Sequence, residues 1–259
     1  MLYQLNREVT RIASENLSAR AVYRRKDLYS RRGPRPVAAG PLLCPLCGKT
    51  AARFLPFGLK GGRRNAACPT CGSLERHRLL WVYLTRHTTL LRQLASILHV
   101  APEPCLESNL RPLPNLHYCS LDLYNPAADV HADLCRLPFP AARFDLAICS
   151  HVLEHLPNDR RAIGELARVL RRGGRALILV PFDRSLPATL EDPGAATAAQ
   201  RLARFGHPFH YRSYGADFAE RLAAAGFAVS PIWSRRLLTP HKRRRLRIND
   251  NHLFDCRRL

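Results

Sequence analysis

From residue 96 onward, short apolar runs alternate with stretches of helical periodicity. Residues 96–101 (SILHVA), 116–123 (LHYCSLDL) and 142–150 (ARFDLAICS) are predicted strands. The third is apolar nearly throughout, as expected of a strand buried on both faces. Residues 159–174 (DRRAIGELARVLRRGG) read as a helix: Ala162, Ile163, Leu166, Val169 and Leu170 form one apolar stripe, and Gly173-Gly174 ends it. A strand over 176–182 (ALILVPF) follows. Then come a helix over 217–227 that Gly226 stops, a strand over 228–233 and a closing strand over 251–258. Such alternation predicts βαβ units and a largely parallel, Rossmann-like α/β sheet with helices on both faces.

The first 95 residues read differently. Residues 1–40 are basic; Leu5, Val9 and Ile12 share a possible helical face, and a Gly/Pro-rich linker ends the segment. Residues 41–78 carry paired cysteines and form a small module. Residues 79–94, apolar at helical spacing, connect it to the α/β domain at 96–259.

Composition narrows the setting. Hydrophobic residues make up 46% of the 259, as in an ordinary folded protein, and no apolar run is long enough to span a membrane. The amino-terminal segment lacks the apolar core of a secretory signal. Five of the nine cysteines (Cys105, Cys119, Cys135, Cys149 and Cys256) are scattered among apolar residues, which suits the reduced cytoplasm rather than a disulfide framework. The net charge of +21 favours an anionic partner such as RNA. Only four of the 41 basic residues are lysine, which is compositional bias; the excess over 20 acidic residues is not.

Cys44-Pro-Leu-Cys47-Gly and Cys68-Pro-Thr-Cys71-Gly carry a metal-ligand spacing. Two residues between cysteines let both thiolates face one ion, and the following glycine permits the turn that aims backbone N–H groups at sulfur. Four thiolates with no open position fit a structural, zinc-ribbon-like Zn²⁺ site; a rubredoxin-like iron site has similar spacing. Between the pairs, Arg53, Lys60, Arg63 and Arg64 lie near Phe54 and Phe57, a mixture that either grips RNA or surrounds a very small core.

In the α/β domain, Asp122 ends the second strand 22 positions after Val100, where a carboxylate accepts hydrogen bonds from ribose hydroxyls in dinucleotide folds. The stretch from Asp133 to Pro181 carries ADLCRLPF, FDLAICSHVLEH and ELARVLRRGG. It resembles the methyltransferase type-11 group of class I S-adenosylmethionine-dependent enzymes. Together with CPTCGSLERHR, TLEDP and RFGHPFHYRSYG, the wider chain resembles a bacterial group that joins this domain to a zinc module. The resemblance implies S-adenosylmethionine as cofactor, and the candidate residues to hold it are Ala101, Glu103, Asp122, Leu123, Asp133, Leu134 and Ser150. One departure stands out: the first loop, His99-Val100-Ala101-Pro102-Glu103-Pro104-Cys105, has no glycine, and its prolines remove two N–H donors. Glu103 either offers its carboxylate to the cofactor's ammonium in place of the missing acidic residue or faces solvent on a rigid turn.

His151 and His155 flank Glu154 just beyond the third strand; a helix there would put both imidazoles on one face, ready for acid–base work. Residues 204–214 (RFGHPFHYRSY), with Glu191 and Asp192 before them, mix His, Arg and aromatics as an acceptor site would. The run from His241 to Arg247 is a solvated hairpin turn or a phosphate-binding strip. The expected activity is methyl transfer to a small-molecule, sugar or glycan acceptor. An RNA acceptor is the alternative, although the Asn/Asp-Pro-Pro-aromatic motif is missing, and a non-catalytic binding protein is the third reading.

Overall fold

The computed structural model describes residues 41–58 and 62–259. The expected amino-terminal helix and linker, and Lys60, lie outside these residues.

The amino-terminal module is two small antiparallel hairpins. β1 (Leu42–Leu43) pairs with β2 (Thr50–Ala51), and β3 (Leu55–Phe57) with β4 (Arg63–Ala67). Helix α1 spans Glu75–Arg86 and so begins inside the segment assigned to the module and ends before Leu94. Its start is set locally: the Leu74 N–H donates to Nδ1 of His77, three residues on. Buried residues surround α1 on almost every side because it is sandwiched between the cysteine hairpins and the large sheet.

The α/β domain follows as β5 (Ala95–Val100), α2 (Pro104–Leu110), β6 (Leu116–Asp122), β7 (Val130–His131), β8 (Phe144–Ser150), α3 (Asp159–Val169) and β9 (Leu170–Leu179). Next come β10 (Leu190–Glu191), α4 (Ala198–Phe205), β11 (Arg212–Ser213), α5 (Phe218–Ala223), β12 (Phe227–Trp233), α6 (Ser234–Leu237), α7 (Pro240–Leu246) and β13 (His252–Arg258). Seven strands form one sheet in the order β12-β13-β9-β8-β5-β6-β7. Strands β5 to β9 are parallel, and β13 runs antiparallel between β9 and β12. The chain leaves β5 on one side for β6 and returns on the other for β8, so the topological switch point lies at the carboxyl ends of β5 and β8. Ligands of open α/β sheets bind at such a point.

Two expectations are corrected. The helix predicted over 159–174 stops at Val169, and Leu170 already pairs with Phe144 as the start of β9. Gly173 and Gly174 therefore shape an irregular strand entry rather than a helix cap; a Cβ on Gly174 would meet the Arg171 carbonyl at 2.8 Å. The run from His241 to Arg247 is not a hairpin turn. Thr239 caps helix α7 by accepting from the Lys242 N–H, and left-handed Arg247 ends it.

One sheet face is covered by α3 and α5, with Ile163, Leu166 and Phe218 against Ala147, Ile178 and Phe254. On the other face, Leu46 and Phe54 of the cysteine module share a single apolar cluster with Ile97, Ile148 and Leu177. The module is thus part of the domain's core. Arg78, fully buried, staples the parts together: it donates to the carbonyls of Ser73, Ala66 (3.0 Å), Leu246 (2.9 Å) and Arg247 (2.7 Å) and stacks over Phe54. Arg78→Met keeps the length but leaves those carbonyls without a donor. We expect a loss of about 3 kcal/mol in unfolding free energy, measured by urea denaturation; an unchanged midpoint would refute the staple.

Candidate functional site

The four cysteines converge. Their sulfurs all lie within 4.8 Å of one another, with Cys44 and Cys71 3.6 Å apart and Cys47 and Cys68 3.8 Å apart. A tetrahedron with metal–sulfur bonds of about 2.3 Å has edges of about 3.8 Å. The two turns are alike: the Gly48 N–H donates to the Cys44 carbonyl and the Gly72 N–H to the Cys68 carbonyl, both at 2.9 Å, and both glycines have φ +69°. Burial works against the Cys44 thiolate, but the Ser73 hydroxyl 3.1 Å away and the backbone of Cys47 and Leu46 bring its thiol down to about 7. Burial pushes Cys47 up to about 12. The donor set suits zinc in a closed, structural site. Of the basic residues between the pairs, Arg63 is engaged with Glu75 at 3.2 Å and Phe54 is buried under Arg78.

The first loop after β5 turns without glycine because Ala101 itself adopts a left-handed conformation (φ +47°), its N–H held by the Leu121 carbonyl at 2.7 Å. Non-glycine residues in this region are strained and are retained where the surroundings demand them. Glu103 then caps α2 through its backbone. Its side chain is buried among groups from α1 and β5: Nε2 of His77 at 3.1 Å, Nε2 of His99 at 3.4 Å and Nε of Arg76 at 3.9 Å. The tautomers follow from the partners. His77 Nδ1 accepts the Leu74 N–H, and His99 Nδ1 lies 2.7 Å from the Tyr118 hydroxyl. Since a carboxylate only accepts, His99 Nε2 donates to Glu103 Oε2, while His77 Nε2 faces Oε1 without completing a hydrogen bond among the described residues. Burial alone would raise the Glu103 carboxyl, but His77 and His99 hold it well below the usual carboxylate range. The carboxylate expected to meet the cofactor's ammonium is thus engaged within the protein through Oε2, while Oε1 makes no hydrogen bond among the described residues.

Asp122 sits buried at the carboxyl end of β6, where Oδ1 accepts from the Tyr124 N–H (2.7 Å) and the Asn125 N–H (2.9 Å). Leu123 beside it is exposed. Asp133 is exposed and turns the chain by accepting from the Cys135 N–H at 2.8 Å, while Leu134 is buried. Ser150, the last residue of β8, has a buried hydroxyl without a hydrogen-bond partner among the described residues. These residues lie along one edge of the sheet, beside the switch point.

His151 and His155 do not share a helical face. His151 is left-handed (φ +54°), and only a short 3₁₀ turn, Leu153–His155, follows. The histidines face different partners. His151 Nδ1 lies 3.1 Å from Glu154, whose carboxyl is fully buried and makes no hydrogen bond within the described residues. Burial raises Glu154 to about 7, against the opposing pull of His155 and Arg76. Burial, with the Arg76 charge, drives His151 well below the ordinary imidazole range. His155 meets His207 and His210 instead, with ring centroids 5.4 and 4.7 Å away.

Much of the predicted acceptor segment is structural. Arg212 is buried and binds Glu191 (2.7 Å) and the carbonyls of Leu153 (3.0 Å), Leu156 and Pro157 (2.9 Å). Tyr214 and Arg221 close on Asp159. Sequence reasoning did not assign roles to Arg76, His77, His99 or Glu154. Their visible signal was polar residues inside otherwise apolar helical or strand patterns.

Residues 113–178 match a family described as a methyltransferase domain. A probable S-adenosylmethionine-dependent methyltransferase of Mycolicibacterium smegmatis is 34% identical over 106 residues, 40% of this chain and 37% of that protein. A phosphatidylethanolamine N-methyltransferase of Cereibacter sphaeroides is 34% identical over 94 residues, 36% of this chain and 41% of that protein. This chain therefore spans well under half the length of these curated relatives. The crystal structure of the Bacillus subtilis YcgJ protein aligns over 64% of this chain and 92% of its own, at 16% identity and a TM-score of 0.42. The matched segment, from Leu113 to Ile178, lies within the sheet that carries the switch point between β5 and β8, so this part of the chain is similar to a methyltransferase domain and is joined to a four-cysteine module.

Proposed function

We propose that this protein transfers a methyl group from S-adenosylmethionine to a small-molecule acceptor. The observation that carries the proposal is the edge where Asp122, left-handed Ala101 and the unpartnered Ser150 hydroxyl flank the switch point. In this reading Asp122 would hold the ribose hydroxyls and Asp133 and Leu134 the adenine, and the reading is supported by the buried Ser150 hydroxyl, which has no hydrogen-bond partner among the described residues. When bound, the cofactor supplies an electrophilic methyl group on a sulfonium. The chain's own residues then position the acceptor and receive its proton. His151 Nδ1 faces the Glu154 carboxyl at 3.1 Å, and Nε2 would accept a proton from a hydroxyl or amine while the nearby Glu154 stabilises the charged ring. The named acceptor of the phosphatidylethanolamine relative is a lipid amine, consistent with a small-molecule acceptor here.

We further propose that zinc fills the four-cysteine site as a structural ion. It would hold the loop that starts α1, and α1 delivers Arg76 and His77 to Glu103.

Four outcomes are expected. Calorimetry should detect S-adenosylmethionine binding, and Asp122→Ala should weaken it by roughly tenfold or more; no binding to the native protein sinks the enzymatic reading. Tritiated-methyl transfer into fractionated cell extract should label a small-molecule fraction, and label in RNA would overturn the acceptor class. With that fraction as acceptor, kcat should rise with pH through about 7, as the Glu154 carboxyl ionises. Glu154→Gln should lower it by roughly 100-fold and flatten the rise. Stripping metal with a chelator should lower the Tm and the far-ultraviolet helical signal, and zinc should restore both. A stripped protein that melts as before would remove the structural role.

A further inference from the structure

His155, His207 and His210 each offer an imidazole nitrogen, and all three nitrogens lie within 4.8 Å of one another. The rings are 4.3 to 5.4 Å apart between centroids, His207 and His210 being stacked. His155 closes the 3₁₀ turn after β8, whereas the other two lie on the loop between α4 and β11. This loop is bolted on both sides to the backbone that carries His155. Gly206 ends α4 in a left-handed conformation, and Arg201 donates to the Pro208 carbonyl at 2.9 Å. Beyond His210, the Tyr211 N–H donates to the Glu154 carbonyl at 2.8 Å, and Arg212 holds the carbonyls of Leu153, Leu156 and Pro157. The cluster is therefore preorganised rather than a chance meeting of mobile side chains.

We propose that His155, His207 and His210 form a second metal site, which binds a zinc-type divalent cation and leaves a coordination position open to the methyl acceptor. Three imidazoles without a carboxylate in the set suit zinc, cobalt or nickel and not magnesium or calcium. Three protein ligands with partial exposure are the mark of an open site, unlike the closed four-cysteine centre. The outer contacts agree. His155 Nδ1 faces the Phe209 carbonyl at 3.2 Å, which can only accept, so Nδ1 carries the proton and Nε2 keeps its lone pair for a metal. His207 is the ring that gives up a contact on ligation: its Nδ1 now takes the Phe209 N–H at a long 3.3 Å. An oxygen or nitrogen of the acceptor bound to such an ion would lose its proton more readily, with His151, four residues before His155, available to receive it. That role rests on the methyltransferase reading, whereas binding of the ion does not.

The test compares the full chain with His207→Ala/His210→Ala and with His155→Gln, each purified, saturated with cobalt and freed of excess metal. Native protein should retain a second equivalent of cobalt by elemental analysis. It should show visible bands of a nitrogen-ligated ion beside the thiolate charge-transfer bands of the cysteine site. Both variants should lose the second equivalent and those visible bands, and keep the thiolate bands, which also report that the module is folded. A native protein that saturates at one equivalent, or variants that bind as much as native, would overturn the site. S-adenosylmethionine titration of the same samples separates the two proposals: a lost cofactor signal with the second equivalent retained refutes only the enzymatic reading, and the reverse refutes only the metal site.

Discussion

Glu103 is an acidic side chain buried at the carboxyl end of β5, and segments far apart in the chain converge to offset its charge, although one of its oxygens makes no hydrogen bond among the described residues. A carboxylate removed from water needs donors or a counter-charge, or it destabilises the fold by several kcal/mol. Here β5 supplies His99, with its tautomer fixed by Tyr118, and α1 supplies His77, with its tautomer fixed by the Leu74 N–H. Arg76 adds positive charge nearby. Since His77 also forms the start of α1, the same ring that caps the helix faces the first loop of the α/β domain. The cysteine turns precede the start of α1 by a few residues, so their geometry reaches the carboxyl end of β5 through a short stretch of backbone.

This dependence explains why the cysteine module is not a separate bead. Its apolar residues share a cluster with β5, β8 and β9, and Arg78 donates at once to the module and to the end of α7. A guanidinium has enough donors in a fixed fork to join several carbonyls that no backbone pairing reaches. The opposite end of the site has the same design. Arg212 ties the loop before β11 to the turn after β8, and Arg221 and Tyr214 join it through Asp159. The arginines buried at these seams act as fasteners, so the basic excess of the chain is in part an internal requirement of the fold and not wholly a surface for anionic partners.

Strain and unpartnered polar groups gather at the edge between these two fasteners. Ala101 and His151, each at the exit of a central strand, are left-handed without being glycine, and the Ser150 hydroxyl and the Glu154 carboxyl are buried without hydrogen bonds in the described residues. Such costs are retained where a ligand or a reaction uses them.

Most of the parallel strands, the presence of a closing strand and the four-cysteine cluster were legible in the sequence, because strand burial and C-x-x-C spacing are local signals; the antiparallel pairing of β13 was not. Asp122 was legible for the same reason: it ends an apolar run at a known distance from the first strand. Helix ends were less so. Leu170 suits a helical stripe as well as a strand, and only its pairing with Phe144 decided between them. The His151–Glu154–His155 motif was visible as composition, but its backbone left the helical region at once, so spacing misassigned the partners of both histidines. Glu103 illustrates the limit most clearly. Its number, charge and place in the loop were read directly, whereas its partners lie on α1 and β5, and no local pattern encodes which polar groups a folded chain will bury together. The sequence by itself determined the elements and the metal-ligand spacing, since both depend on neighbours a few residues apart. Only tertiary structure decided which charges meet, because burial and pairing are properties of segments brought together from far along the chain.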